Sequence, residues 1–176
     1  MIRLLPIVQE ITRPVKKARV FDFDDTLVKT DSFIYITKKD GTKLTLTPGE
    51  YAVYTEQPGD VFDFSDFDKI QNPKLIRQNV DLLRRMAREG KKVVILTARK
   101  YYLPIKEFFA KLGLAPYVVA LGDSDPMKKA EYIEELISRG YNDIAFMDDS
   151  EKNVIAVSTL KSKYPDVKFT LKHHVD

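Results

Sequence analysis

Val20-Phe21-Asp22-Phe23-Asp24-Asp25-Thr26-Leu27 is the stretch on which the reading of this chain turns, an apolar run that stops in three carboxylates and a threonine. Ala18, Val20, Phe21 and Phe23 form a strand that is apolar on both faces, the pattern of a central parallel strand. Side chains alternate along a strand, so Asp22 and Asp24 are expected on the same side at its end. Two carboxylates that close repel each other, and partial burial pushes one toward its protonated form unless a cation sits between them. The stretch therefore asks for a metal, an acid/base task, or both. The plainer alternative is a strand followed by a solvated acidic turn, with Asp25 or Thr26 capping the next element.

Two later apolar runs end in the same way. Val93-Val94-Ile95-Leu96 finishes in Thr97-Ala98-Arg99, and Ile144-Ala145-Phe146-Met147 finishes in Asp148-Asp149-Ser150. Around them the period becomes helical. Asn72 and Pro73 are expected as the N-cap and first position of a helix that carries Ile76, Val80, Leu83 and Ala87 and ends at Gly90. Further helices are expected over 104–112, from Asp125-Pro126 to Ser138, and over 151–160, with strands over 117–120 and 167–171. Such alternation implies a parallel sheet with helices on both faces.

Residues 30–70 break the alternation. Phe33 to Thr37 and Lys43 to Thr47 flank Asp40-Gly41, a hairpin signal. Pro48-Gly49 and Pro58-Gly59 read as turns, and Val61 to Phe67 as one more half-buried strand. This is a small β-rich flap inserted after the first core strand. Ile2 to Ile11 reads as a strand or extended arm on the domain edge, closed by Pro14.

With 176 residues and 20.3 kDa, the chain suits one domain over 1–176. Lys and Arg number 29 against 26 Asp and Glu, a net charge of +3 that permits a phosphate-bearing partner without demanding one. The absence of cysteine excludes disulfides, thiolate zinc sites and cysteine nucleophiles. No signal-peptide core and no apolar stretch of roughly 18 residues is present, so a soluble, cytoplasmic protein without membrane contact is expected. Its oligomeric state is open.

In an open parallel sheet the crevice lies beyond the carboxyl ends of the strands. If the three polar strand ends are neighbours there, the carboxylates of Asp22, Asp24, Asp148 and Asp149 meet, and oxygen-only ligands suit a hard cation such as Mg²⁺. Taken alone, Asp148-Asp149-Ser150 also fits a helix N-terminus carrying favourable negative charge. Lys128 and Lys129 lie near the start of a helix, where a cation opposes the macrodipole. Either Asp123 and Asp125 compensate them, or a substrate phosphate and the acid cluster do. Arg77, Arg84 and Arg88 share a helical face that reads as solvated rather than as a track for a nucleic-acid backbone. His173-His174 has no third metal ligand nearby in sequence.

These residues together resemble the haloacid dehalogenase superfamily of phosphohydrolases. Its first motif, Asp-x-Asp-x-Thr after an apolar strand, matches Asp22 to Thr26. Its second matches Val93 to Thr97, its lysine matches Lys129 or Lys128, and its paired acids match Asp148-Asp149. Lys129 is preferred because Lys129-Ala130-Glu131-Tyr132-Ile133 resembles the branch that includes the phosphatase half of phage polynucleotide kinase. The resemblance implies a three-layer α/β/α sandwich with a Rossmann-like parallel sheet. It also implies a phosphatase using Asp22 as nucleophile, Asp24 as acid and base, and Thr97 with the amide of Ala98 as phosphate holders. Lys129 would be the counter-charge. Mg²⁺ would be held by Asp22, the backbone carbonyl of Asp24, and Asp148, with Asp149 as a further ligand. Asp25 stands where many relatives have Gly. Thr26 braces the loop.

Asp24 separates this chain from the ion-pumping ATPases and the dehalogenases of that superfamily, which lack the second acid, and so favours ester hydrolysis. A flap too short for a helical cap resembles members with open sites and bulky substrates, which makes a nucleotide or a nucleic-acid 3′-end the expected partner. Arg99, and Lys128 if it is not catalytic, are candidates to touch it. Tyr35, Tyr51, Tyr54, Phe62, Phe64 and Phe67 either stack on a base or form the flap's own core. The rival readings are a phospho-acceptor signalling module, disfavoured by the order of its acids along the chain, and a phosphate-binding module without catalysis.

Overall fold

Five parallel strands carry the chemistry-bearing residues, in the spatial order Lys168–His173, Asp143–Asp148, Lys17–Phe21, Lys92–Thr97 and Tyr117–Ala120, with the strand of the opening stretch at the centre. The computed structural model describes residues 13–176. The strand or arm expected over Ile2 to Ile11 lies outside them. Along the chain the elements are β1 (Lys17–Phe21), β2 (Val28–Lys29), β3 (Ile34–Thr37), β4 (Lys43–Leu46), α1 (Pro48–Ala52), β5 (Val61–Asp63), β6 (Lys74–Leu75), α2 (Arg77–Arg88) and β7 (Lys92–Thr97). They continue as α3 (Leu103–Lys111), β8 (Tyr117–Ala120), α4 (Pro126–Ser138), β9 (Asp143–Asp148), α5 (Glu151–Ser158), α6 (Leu160–Lys163) and β10 (Lys168–His173).

Strand alternation sorts the core into two clusters. Val20, Val94, Leu96, Ile144 and Phe146 meet Ile133 and Leu136 of α4 and Val157 of α5. Phe21, Val93, Ile95 and Met147 meet Val80 and Leu83 of α2 and Ile105 and Phe109 of α3. The sheet is therefore flanked by helices, as its apolar central strands require. Each fully buried Leu, Ile or Phe contributes about 1.5–3 kcal/mol. Register then places the polar ends. Phe21 pairs with Ile95 of β7 and Met147 of β9, so Asp22 comes out level with Asp148 and one step below Thr97.

Between β1 and α2 the chain makes a separate antiparallel sheet of order β4-β3-β5. Its hairpin closes through Gly41 at φ +85°, a conformation glycine adopts without strain. Three local expectations fail here for identifiable reasons. Pro48-Gly49 opens a short helix instead of a turn, because Thr47 and Glu50 form a reciprocal capping box. The strand expected over Val61 to Phe67 stops at Asp63, whose Oδ1 accepts the Ser65 amide at 2.9 Å and starts a 3-10 turn over Ser65–Asp68. The helix expected from Asn72 begins at Arg77. Asn72 takes φ +44° before Pro73, which disfavours a helical residue ahead of it, and Lys74–Leu75 pair instead with Val28–Lys29. Ala87 is exposed, and Leu82 and Met86 supply the packing expected of it.

Candidate active site

Asp22 is the first residue beyond β1, buried, with its amide donating to the Met147 carbonyl at 2.9 Å. Its Oδ1 accepts from Lys129 Nζ at 2.6 Å, and its Oδ2 from Thr26 Oγ1 at 3.1 Å. Lys129 also donates to Asp148 Oδ2 at 2.7 Å and is almost wholly buried. The start of α4 delivers it there: Asp125 caps the helix by accepting the Met127 amide, and Lys129 follows in the next half-turn. Lys128 points outward and pairs with Glu131. The two lysines thus separate, and the acid cluster compensates Lys129.

Carboxylate oxygens of Asp22, Asp148 and Asp149 lie within 4.8 Å of one another. Burial lifts the Asp22 carboxyl well above its ordinary range. The Lys129 ammonium opposes that lift, while Asp148, Asp149 and Asp24 add to it. Asp149 is pushed up to about 6, first by burial and then by Asp148 and Asp25. Burial works against the charge of Lys129, but Asp22 and Asp148 outweigh it and hold the ammonium protonated. One ammonium among three close carboxylates leaves negative charge in excess, and the donor set is all oxygen. That chemistry fits a hard divalent cation.

Asp24 stands apart from this cluster. Arg99 grips it through both carboxylate oxygens, Nε at 2.8 Å and Nη2 at 2.7 Å. The same guanidinium donates to the Phe67 and Lys69 carbonyls at 3.1 and 2.8 Å and lies between the Phe23 and Phe67 rings. Arg99 is therefore buried and joins Asp24 to the end of the antiparallel insertion; it does not reach outward to the mouth of the crevice. Thr97 is buried at the end of β7 with Oγ1 accepting the Arg99 amide at 3.1 Å, and Ala98 is half-buried beside it.

Several positioning residues escaped the sequence reading. Asn153 donates to both Asp148 oxygens at 3.1 and 3.0 Å, three residues past the cap of the helix that follows β9. Its signal was available, since an amide in the first turn after paired acids faces back toward them. Thr26, which the sequence reading gave the task of bracing the loop, also accepts the Asp149 amide on Oγ1 at 3.0 Å, so one hydroxyl ties the two acidic loops together. Asn79 Nδ2 donates to the Thr26 carbonyl at 2.8 Å and lies 3.2 Å from His174 Nδ1. That contact makes Nδ1 the acceptor and leaves the proton on Nε2, 3.3 Å from Asp176 Oδ1. The His174 amide reaches the Asp148 carbonyl at 2.8 Å, and His173 Nε2 reaches the Asp149 carbonyl at 2.8 Å. The two histidines brace the acid loop from behind.

The aromatic side chains of the insertion satisfy one another. Phe62 and Phe64 stack at 5.9 Å, and Tyr51 meets both edge-on. Tyr54 and Lys38 close a network on Asp60. No helix among the described residues is long and apolar enough to cross a membrane. No protein-family model and no curated protein matches the chain.

Proposed function

We propose that the chain is a Mg²⁺-dependent phosphatase of the haloacid dehalogenase type, which hydrolyses a phosphate monoester through an aspartyl phosphate on Asp22. The observation that carries this reading is the buried Asp22–Lys129–Asp148 arrangement at the end of the central strand, with Asp149 in reach of the same ion. Strongly perturbed carboxyls gathered at the carboxyl ends of parallel strands are the kind of site where chemistry is done. On this reading the sheet and its two helical layers form a three-layer α/β/α sandwich, and the β3–β4–β5 insertion is its flap.

In the first step a carboxylate oxygen of Asp22 attacks phosphorus, the bond to the ester oxygen breaks, and Asp24 gives that oxygen a proton. In the second step Asp24 takes a proton from water, whose oxygen attacks phosphorus and releases Asp22 and inorganic phosphate. Lys129 offsets charge on Asp22 throughout, Thr97 and the Ala98 amide hold phosphate oxygens, and Thr26 fixes the plane of the nucleophile. Mg²⁺ would be held by Asp22, Asp148, Asp149 and the Asp24 carbonyl, and would supply positive charge to the phosphoryl oxygens. Arg99 accepts no proton from Asp24 but orients it, since each Asp24 oxygen retains a second lone pair. A nucleotide or a nucleic-acid 3′-end is the substrate class this reading favours, because an insertion too short for a helical cap resembles that of members with open sites and bulky substrates.

The test is hydrolysis of an aryl phosphate. Wild-type chain turns it over with Mg²⁺ and not with EDTA, and Asp22→Asn loses at least about 10³-fold while keeping its circular dichroism spectrum. Wild-type rates in Asp22→Asn would remove Asp22 as nucleophile.

A further inference from the structure

A cavity of about 440 Å³ opens at the other end of the sheet, lined by Arg84 and Arg88 of α2, Lys91, Lys92 at the start of β7, and Tyr117 at the start of β8. Its floor is apolar, made of Leu83, Val93 and Leu114, all buried. Five residue steps of β7, at about 3.3 Å each, separate Lys92 from Thr97 and put this cavity roughly 16 Å from the carboxylate cluster. It is a different place with the opposite charge.

The charge exceeds what the fold explains. Cations are usual at helix C-termini, and α2 and α3 both end here, each contributing about half a negative charge. Glu89 pairs with Lys91 at 2.5 Å. Set against the four cations of the lining, Glu89 and the two helix ends leave roughly two positive charges unbalanced. Among the described residues Arg84, Arg88 and Lys92 form no ion pair. Arg84 donates to the Leu112 carbonyl at 3.3 Å, and the Lys92 ammonium lies 4.1 Å over the Tyr117 ring. Neither contact neutralises a charge.

We infer that this cavity is a second, non-catalytic site for a nucleoside polyphosphate. Two guanidinium groups one helical turn apart offer forked donors that match phosphate oxygens, and the Lys92 ammonium beside them adds a third positive charge, which suits a ligand with more than one negative charge. The exposed Tyr117 suits a planar ring. The volume falls in the range of small-ligand pockets, which favours a single nucleotide over a polymer, since a polymer needs an extended track. This inference does not depend on the chemistry at Asp22.

Calorimetric titration in excess EDTA tests it, with ATP, inorganic triphosphate, adenosine and a single-stranded oligonucleotide as probes. ATP binds one to one and more tightly than triphosphate or adenosine. Arg84→Gln with Arg88→Gln weakens ATP by at least about tenfold, since each lost charge-assisted contact is worth more than a neutral one. Ala87→Glu, at an exposed position of the same lining, weakens it through repulsion alone and guards against misfolding of the double variant. The inference fails if ATP does not bind, if its affinity ignores both variants, or if the oligonucleotide binds more tightly than ATP through these same residues.

Discussion

Lys129 places its ammonium between the carboxylates of Asp22 and Asp148 with almost no exposure, so removing that charge leaves two buried acids facing each other. Lys129→Met is expected to cost about 3–5 kcal/mol, the usual penalty for unpairing a buried ion pair. Added Mg²⁺ should recover part of it, which denaturant titration with and without the ion would show. Because Asp22 and Asp148 raise the lysine's pKa, its contribution is complete below about 10 and constant across neutral pH. Thr26→Val keeps the volume but loses the bonds to Asp22 and to the Asp149 amide. A drop of about 10–100-fold in kcat is expected of such a supporting partner, together with a stability loss of about 1–3 kcal/mol from the buried groups left unpaired. At this scale the sequence disclosed Asp22, Asp148, Asp149 and Lys129, because each stands where an apolar run ends or a helix begins. It was silent on Asn79 and weighed His174 only as a metal ligand; their contact joins residues 95 apart through polar side chains with no pattern of their own. The expectation that all four acids converge held for three of them, and Arg99 explains the fourth: a bidentate partner holds Asp24 to the insertion.

Arg99 is also the bond between two elements, since one guanidinium serves both Asp24 and the carbonyls at the end of the β3–β4–β5 insertion. Arg99→Met would orphan these acceptors. Amide exchange over residues 61–71 should accelerate while β1, β7 and β9 stay protected, and activity should fall with it. Uniform acceleration across the chain would mean that Arg99 supports the core rather than the insertion. Gly59 offers a second handle on that element. Its φ is +87°, and an added Cβ would come within 2.9 Å of Lys39 Cβ, so Gly59→Ala should loosen the insertion without touching the main sheet. Elements with strong periodicity were readable from sequence almost to the residue, as with β8 and α4. The start of α2 was not, because Asn72-Pro73 satisfies the rule for a helix start while the cross-strand partner of Lys74–Leu75, Val28–Lys29, lies far back in the chain. Tertiary pairing overrode the local signal there.

For the molecule as a whole, the raised carboxyls link stability to pH. A group whose folded pKa lies above its unfolded value contributes stability below the unfolded value, near 3.8 here, and loses it as pH climbs through the folded value. With Asp149 near 6, the metal-free protein should lose this contribution from about pH 4 to about pH 6, and the raised Asp22 carboxyl adds to the loss in the same sense. A bound cation removes the penalty, so the gain in Tm on adding Mg²⁺ should grow across that window. A gain independent of pH would place the ion elsewhere. The parallel sheet flanked by helices was readable from alternation alone, whereas the strand order was not, since no local signal names a strand's neighbours. That order bears on how the chain is made. β1 precedes the rest of the sheet, yet it pairs with β7 and β9, and Ala18 finds Lys92 on one side and Ile144 on the other. During synthesis it must wait, apolar on both faces, with one edge unpaired until β7 emerges and the other until β9 emerges. Such a delay makes nascent and truncated chains prone to stick to one another and slows closure of the sheet. It also means that the site around Asp22 is assembled only when folding is essentially complete.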